Sequence, residues 1–201
     1  MKITIVDYGA GNVPSVERAL QRHGADSRRT TSPECISNAE ALLLPGVGHI
    51  AALVRALDEQ TLRVPLVDAI HRGVPFLGIC LGLQVLYESS EEAPQLSGLH
   101  LLPGRVSALP SNVKLPHMGW NQVAGKRESL LLEGIPKEAY FYFAHSYAAR
   151  DSNEAAVATC SHGAEFAAVI EVQNIFAVQF HPEKSGAPGA RVLQNFLRLA
   201  A

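Results

Sequence analysis

The stretch PFLGICLGLQVL, residues 75–86, decides the fold class, because a short apolar run is followed at once by a segment of helical character. The run up to Cys80 predicts a buried strand, and LGLQVLYESS, residues 81–90, predicts a helix. Gly78 and Gly82 flank the cysteine, each two residues away. A strand that feeds directly into a helix is the repeating unit of α/β domains.

The rest of the chain extends this unit in two ways. In the first half, strands and helices alternate, with predicted strands at residues 2–7 and 41–46 and predicted helices at residues 13–24, 49–57 and 65–73. In the second half, strands predominate, with antiparallel hairpins in the middle, at residues 139–148, 154–160, 165–173 and 175–180, before an amphipathic helix at residues 189–200. The predicted fold is α/β: an open mixed, mostly parallel sheet with helices on both faces and an antiparallel strand extension, in a single domain over residues 1–201.

The composition argues against several classes of protein. With 47% hydrophobic and 18% charged residues, the chain can bury a sizeable core. A net charge of -2 and the lack of a Lys or Arg run argue against nucleic acid or a membrane surface as a partner. No apolar stretch is long enough to span a bilayer, and three cysteines make a poor disulfide framework for 201 residues. A cytoplasmic protein with reduced thiols is predicted.

Cys80 is the predicted nucleophile. Glycines on both sides of a residue at a strand–helix junction allow the sharp, strained turn known as a nucleophile elbow, which exposes the side chain in a cleft. A helix that begins there favours the thiolate, and the backbone N–H of Leu81 would face an oxyanion formed by attack. The alternative is a buried structural cysteine. We give this interpretation to Cys35 and Cys160, because neither lies between glycines at a strand–helix junction.

A cysteine nucleophile needs a base, and the base needs a group that orients it. His181 lies in VQFHPEKSG, directly after a predicted buried strand, and Glu183 follows two residues later. Residues two apart in an extended segment project to the same side, so the Glu183 carboxylate can accept a hydrogen bond from the imidazole. His23, His71, His100 and His162 have no such neighbourhood and are interpreted as surface or packing residues.

A third element lies at the end of the predicted strand LLLPGVG, residues 42–48. Gly46, Val47 and Gly48 follow this strand at the same carboxyl edge of the sheet as Cys80, where open α/β sheets bind their ligands. A glycine-flanked loop there can direct a backbone N–H at a tetrahedral intermediate. An ordinary tight turn is the alternative, and the neighbouring motifs favour the oxyanion site.

Together, G-x-C-x-G-x-Q, H-P-E and P-G-x-G resemble the class I (triad) glutamine amidotransferase family over the whole chain. The resemblance implies a triad of Cys80, His181 and Glu183, which hydrolyses glutamine through a γ-glutamyl thioester and releases ammonia. It also implies that the substrate is held by Gln84 from the helix after the elbow, by Glu92 at its α-amino group, and by Ser146 and Tyr147 at its carboxylate end. Neither a cofactor nor a metal is implied.

Four further motifs narrow the resemblance to one branch of that family. DYGAGN at residues 7–12, PHMGWN at 116–121, YFAHSY at 142–147 and QFHPEKSG at 179–186 resemble the glutaminase subunits of imidazole glycerol phosphate synthase. The resemblance implies a heterodimer with a (β/α)8-barrel cyclase, which uses the ammonia in histidine biosynthesis. The face toward the barrel would include Asn12, Trp120, Tyr142 and Lys184. His117 and His145 belong to these motifs, and we expect positioning roles for them.

The aromatic and polar residues of PHMGWN and YFAHSY are also typical of interface cores, although a strand core with a glycine turn is an alternative. Three other functions are weighed: the glutaminase of another pathway, a non-catalytic homologue, and a cysteine peptidase or isomerase. The first would not carry the four motifs, the second would have a broken triad, and the third gives no reason for Gln84 or H-P-E. We also predict low glutaminase activity for the isolated chain, because the PGVG loop can misdirect its N–H until the partner binds.

Overall fold

A computed structural model describes residues 2–9, 12–150 and 155–201 of the chain. The strands, in chain order, are β1 Lys2–Val6, β2 Asp26–Thr30, β3 Ala41–Gly46, β4 Phe76–Cys80, β5 Ser89–Ser90, β6 Arg105–Ala108, β7 His117–Gln122, β8 Ala124–Gly125, β9 Tyr140–His145, β10 Tyr147–Ala149, β11 Ala156–Ser161, β12 Glu165–Val172 and β13 Ile175–Val178. The helices are α1 Val13–Gln21, α2 Pro33–Ser37, α3 Ile50–Glu59, α4 Arg63–His71, α5 Leu81–Gln84 and α6 Gly186–Leu199, with a 3-10 helix at Pro182–Lys184.

The largest sheet among the described residues has the order β2-β1-β3-β4-β13-β12-β11-β8. Its first five strands are mutually parallel, and β12, β11 and β8 extend it in antiparallel fashion. A small sheet has the order β10-β6-β5, and β7 pairs with β9 in an antiparallel ribbon. The predicted fold class is therefore confirmed: the sheet is mixed and mostly parallel, with an antiparallel extension.

Apolar residues cover both faces of the large sheet, because alternate side chains of a strand point to opposite sides. On β3, Leu42 and Leu44 pack in a cluster with α3 and α4, whereas Leu43 packs in a second cluster with α1 and α6. Helices therefore lie on both faces. The helices cover the faces of the sheet and leave the carboxyl ends of the parallel strands open, which is where open α/β sheets bind their ligands.

The predicted helix over residues 81–90 is wrong, since α5 ends at Gln84 and Ser89–Ser90 is a strand. Backbone N–H groups of later residues form hydrogen bonds with the carbonyls that a longer helix would use. Leu99 N–H donates to Val85 O over 2.7 Å, and the N–H groups of Leu101 and Leu102 both donate to Leu86 O over 2.9 Å. The helix behind the elbow is therefore a single turn, and its dipole is smaller than the sequence suggests.

Other predicted boundaries differ from the structure for local reasons. The predicted strand over residues 139–148 is split at Ser146, because β9 joins the ribbon while β10 joins the small sheet. The closing helix begins at Gly186 instead of residue 189. The pattern did not predict β2, Asp26–Thr30, which is a polar strand at the edge of the sheet and therefore lacks an apolar period.

Candidate active site

The elbow is present at the end of β4. Cys80 has φ 56° and ψ −104°, a backbone conformation that L-residues rarely adopt. The prediction that the elbow exposes its side chain in a cleft is wrong for this structure, because the residue is only 3% exposed. Such strain persists only where the surroundings enforce it, and it is frequent at active sites. The Cys80 backbone is therefore held in one conformation at the carboxyl edge of the sheet.

Three glycines enforce the elbow by allowing close contact between β3, β4 and α5. A Cβ on Gly78 would lie 2.5 Å from Gly82 O, and a Cβ on Gly82 would lie 2.0 Å from Leu44 O. A Cβ on Gly46 would lie 2.5 Å from the Cβ of Leu81. Because these neighbours are backbone atoms or a Cβ, they cannot move aside cheaply, and glycine is required at each position.

The structure brings Cys80, His181 and Glu183 together. β13, which precedes His181, pairs in parallel with β4, which ends at Cys80. His181 Nδ1 lies 3.0 Å from Glu183 Oε1, and the two side chains are 2% and 1% exposed. This contact leaves Nε2 of the imidazole free of Glu183, and Cys80 lies close enough to the ring to affect its pKa.

The electrostatics of this group favour a charged pair. Burial by itself lowers the pKa of His181, but hydrogen bonds and charge interactions with Cys80 and Glu183 outweigh burial and raise the pKa to about 10. The imidazole is therefore a cation at neutral pH. A cationic imidazole beside a cysteine is the arrangement found around reactive cysteine nucleophiles.

The predicted oxyanion segment begins beside the Cys80 backbone. Gly46 is the register partner of Cys80 in the parallel pairing of β3 with β4, and Gly48 has φ +92°, which favours glycine. Leu81 is the first residue of α5, so its N–H lies at the helix start next to the sulfur-bearing residue.

Tyr8 faces the same segment from the end of β1. Burial raises the pKa of Tyr8 to about 12, while the backbone of Val47 beside its hydroxyl opposes this rise and the charge of Cys80 adds to it. The hydroxyl is buried without a well-aligned partner in the described part of the chain. Val47 therefore lies against Tyr8 in this structure.

The predicted substrate-binding residues have different surroundings. The amide nitrogen of Gln84 donates to Tyr147 O over 2.8 Å and to Gln179 Oε1 over 3.1 Å, and its Oε1 is buried without a partner among the described atoms. Glu92 Oε2 accepts from the Ile50 N–H over 2.8 Å, so this carboxylate lies at the start of α3, just past the Gly46–Gly48 loop. Ser146 lies at the break between β9 and β10.

The predicted partner-facing residues lie on or near the β7–β9 ribbon. Trp120 pairs with Tyr142 in register, and their rings meet edge to face at 6.0 Å. Lys184 Nζ lies 5.6 Å above the Tyr142 ring, an arrangement that favours a cation–π contact. Asn12 directly precedes α1, which contacts the 3-10 helix that holds Lys184. Ala10 and Gly11 of the DYGAGN motif lie outside the described residues.

One backbone hydrogen bond and two bonds of the Ser185 hydroxyl join this ribbon to His181. The His181 N–H donates to Tyr142 O over 2.8 Å, and the Tyr142 N–H donates to Ser185 Oγ over 2.9 Å. Ser185, which is fully buried, in turn donates to His181 O over 2.6 Å. No role is predicted for Ser185 from the sequence, although the residue belongs to the QFHPEKSG motif.

His117 and His145 form a buried polar chain behind the ribbon. His145 Nδ1 lies 2.9 Å from Tyr147 O, so this nitrogen carries a proton and donates, because a carbonyl only accepts. His145 Nε2 must then accept from His117 Nδ1 at 3.1 Å, and His117 Nε2 accepts from Asn121 Nδ2 at 3.3 Å. Burial lowers the pKa of His117 to about 4 and that of His145 to about 3, so both rings are neutral at pH 7.

Neither a metal cluster nor a membrane span is found among the described residues. In these ranges, no group of three or more His, Cys, Asp or Glu side chains could hold a metal ion. The described helices include none that is both long and apolar enough to cross a membrane.

Comparisons with known proteins agree with this geometry. The family model "Glutamine amidotransferase class-I" matches residues 4–200. Among curated proteins, imidazole glycerol phosphate synthase subunit HisH of Methanothermobacter thermautotrophicus is 50% identical over 197 residues, which cover 98% of each chain. The HisH protein of Moorella thermoacetica is 48% identical over 195 residues, which cover 96% of this chain and 93% of that one.

Solved structures show the same fold at lower identity. PurLQS from Thermotoga maritima has a TM-score of 0.77 and 20% identity, with 100% of this chain and 99% of that chain covered. A crystal structure of a glutamine amidotransferase has a TM-score of 0.78 and 19% identity, with 98% of each chain covered. The chain therefore belongs to the class I glutamine amidotransferase family and, within it, to the family of imidazole glycerol phosphate synthase subunit HisH.

Proposed function

We propose that this chain is the glutaminase subunit of an imidazole glycerol phosphate synthase, an enzyme of histidine biosynthesis. The observation that carries the proposal is the contact of the buried His181–Glu183 pair with Cys80 at the carboxyl edge of the sheet. A strained cysteine, a cationic imidazole and a carboxylate in this order are the parts that nucleophilic acyl transfer needs.

In the proposed reaction, the Cys80 thiolate attacks the carboxamide carbon of glutamine, and negative charge moves to the carbonyl oxygen. The His181 imidazolium gives its proton to the departing nitrogen, so that ammonia leaves and a γ-glutamyl thioester remains. The neutral imidazole then takes a proton from water, which attacks the thioester and gives glutamate. Cys80 returns to the thiolate, while Glu183 stabilises each imidazolium that forms.

Backbone donors from two segments are proposed to hold the oxyanion: the N–H of Leu81 and the N–H groups of the Gly46–Gly48 loop. Both lie at the end of the paired strands β3 and β4, next to Cys80. Because such donors act on charge that develops only during the reaction, each can lower the barrier by about 3 to 4 kcal/mol.

The proposed glutamine site uses Gln84, Glu92, Ser146 and Tyr147. The unpartnered Oε1 of Gln84 offers an acceptor to a substrate N–H group. The Glu92 side chain lies beside the start of α3, and a carboxylate there suits the α-amino group of glutamine. Ser146 and Tyr147 would contact the carboxylate end of the substrate from the junction of β9 and β10.

The proposed partner is a (β/α)8-barrel cyclase, which receives the ammonia. The outer face of the ribbon exposes large side chains: Met118 is 64% exposed, Trp120 is 56% exposed and Tyr140 is 53% exposed. Adjacent exposed side chains of this kind mark protein–protein contacts, and tryptophan and tyrosine are frequent at their centres. The proposed interface comprises this face together with Asn12, Tyr142 and Lys184. A cytoplasmic location is part of the proposal, since all three cysteines are unpaired.

The variant Cys80→Ala tests the function in the complex with the cyclase. Glutamine-dependent synthesis of imidazole glycerol phosphate should be lost, while synthesis from added ammonia should continue, because the cyclase does not need the thiol. The matched control is Cys35→Ala, in which the altered residue lies on α2 away from the elbow, and it should keep full glutamine-dependent turnover. Glutamine-dependent turnover by the Cys80→Ala complex would show that the assignment is wrong.

We also propose that the isolated chain is a poor glutaminase. The supporting observation is that Val47, in the proposed oxyanion loop, lies against Tyr8 in this structure, and we propose that the loop must move before its N–H can serve the oxyanion. Steady-state glutaminase rates should be low for the chain alone and should rise when the cyclase and a ligand of the cyclase are added. Equal rates with and without the cyclase would overturn this part of the proposal.

A further inference from the structure

Gln179 lies between β13 and His181, and its side chain ends at the sulfur of Cys80. The residue is fully buried, and its Nε2 lies 3.6 Å from Cys80 Sγ. This distance is within hydrogen-bond range for sulfur, whose radius exceeds that of oxygen. Gln179 therefore touches the atom that the proposed reaction uses as its nucleophile.

The neighbouring groups determine which end of the Gln179 amide faces the sulfur. Tyr147 O is a carbonyl, so the end of Gln84 that lies 2.8 Å from it must be the nitrogen. That nitrogen also lies 3.1 Å from Gln179, so the facing atom of Gln179 must be the acceptor Oε1. The remaining end of Gln179 is Nε2, which donates to Cys80.

We infer that Gln179 is a catalytic residue that acts as a second hydrogen-bond donor to the Cys80 thiolate, alongside His181. An N–H donor favours the charged over the neutral form of the group that accepts from it. In the reaction, the donor stabilises the thiolate before it attacks glutamine and again when it leaves the thioester during hydrolysis. This inference rests on the proposed function, since it takes Cys80 as the nucleophile.

The arrangement also fixes where the thiolate points. Gln84 holds the acceptor end of Gln179, and Tyr147 O holds Gln84, so the donor is supported by groups from α5 and β10. A side chain with no conformational freedom supplies a hydrogen bond without an entropic cost at the moment of reaction. Gln179 thus restrains the sulfur against free rotation of the Cys80 side chain, while His181 handles the protons.

The test is the rate at which iodoacetamide alkylates Cys80 as a function of pH, followed by mass spectrometry of the peptide that contains Cys80. Gln179→Met keeps the volume and removes the donor. Since hydrogen bonds to charged groups are the stronger ones, alkylation at pH 7 should fall about tenfold or more, and its profile should move to higher pH. The turnover number of the complex with glutamine should fall by a similar factor, with a smaller change in KM.

Two further variants separate this role from a structural one. Gln179→Glu keeps the acceptor for Gln84 but places an oxygen at the sulfur, so it should shift the alkylation profile at least as far as Gln179→Met. Asn195→Leu removes a different buried amide, which bonds to Leu131 O and Glu133 O away from the site, and it should lower stability without moving the profile. If Gln179→Met fails to fold, Gln179→Glu decides the question alone.

An unchanged alkylation profile in folded Gln179 variants would overturn the inference and would leave the proposed function intact. The Cys80→Ala experiment fails or succeeds independently, because it does not depend on how the thiolate is stabilised. A fall in turnover without a shift in the alkylation profile would also count against a donor role.

Discussion

Gly46 and Cys80 are register partners at the carboxyl ends of neighbouring parallel strands, so the loop that follows the glycine begins beside the thiol. The same glycine packs against α5, where an added Cβ would lie 2.5 Å from the Cβ of Leu81. One backbone position therefore sets both the start of the proposed oxyanion loop and the distance between β3 and the elbow.

Gly46→Ala should push α5 away from β3. We expect a loss of about 1 to 3 kcal/mol in the free energy of unfolding, as is usual when a packed site gains a methyl group, and at least about a tenfold loss of glutaminase activity in the complex. Urea denaturation and a coupled glutaminase assay measure the two effects. The control is Gly125→Ala, whose new Cβ would come no closer than 4.0 Å to Arg127 O and which should be nearly neutral. Wild-type activity in Gly46→Ala would contradict the prediction.

Glu183→Gln should weaken the imidazolium of His181. Glu183 Oε1 lies 3.0 Å from His181 Nδ1, and its negative charge helps to raise the pKa of that histidine to about 10. An amide removes the charge, so the turnover number should fall by about 10² to 10⁴. The pH dependence of kcat/KM should shift as the pKa of His181 falls. Glu133→Gln, which alters an exposed ion pair with Arg198, should leave both quantities unchanged.

Acid should destabilise the protein through His117 and His145. Their folded-state pKa values, about 4 and about 3, are lower than the ordinary value of 6.5, so the unfolded chain binds more protons between these limits. Stability should therefore fall as the pH drops from about 6.5 toward 4, by up to about 1.4 kcal/mol per pH unit for each histidine. His181 has the opposite sign: its stabilising contribution is complete below pH 6.5 and is lost as the pH rises through about 10.

Urea unfolding monitored by circular dichroism between pH 6.5 and 4 measures this slope. His117→Gln keeps a donor for His145 but removes one titrating group, so the slope should decrease by the contribution of one proton. The same slope in the variant and the wild type would show that His117 does not carry the effect.

Trp120→Ala should separate association from stability. The side chain is 56% exposed, so its loss should change the free energy of unfolding by less than about 0.5 kcal/mol. If the β7–β9 face meets the cyclase, the affinity should fall at least about tenfold, which calorimetric titration detects. Val64→Ala is the matched control, because Val64 is 66% exposed on α4, away from the ribbon. Equal affinities for the two variants would argue against this interface.

Local patterns in the sequence were sufficient to predict the elbow and the fold class. The glycines around Cys80 and the spacing of His181 and Glu183 are short-range patterns, and the structure brings these three side chains together as expected. Their catalytic roles remain predictions. The alternation of apolar runs was enough to predict the parallel sheet, since each run reflects burial on both faces.

Features that depend on residues distant in the sequence could not be predicted from local patterns. The helix after Cys80 stops at Gln84 because residues 98–102 capture the carbonyls that would have continued it. The polar strand β2 is held by backbone pairing with β1. This pairing does not require apolar side chains, so the sequence pattern does not indicate the strand. The orientation of Gln179 depends on Gln84 and Tyr147, which come from two other elements, although the QFHPEKSG motif already contained the residue.

The position of β4 determines when, during synthesis of the chain, Cys80 gains the groups that surround it. β4 lies in the middle of the large sheet, and one of its two neighbours, β13, is among the last strands to be synthesised. A growing chain on the ribosome therefore carries Cys80 with an open strand edge and without His181, Glu183 or Gln179. Under the proposed mechanism, the thiol lacks both its base and its second donor until residues 179–183 emerge, so an unfinished chain should not hydrolyse glutamine.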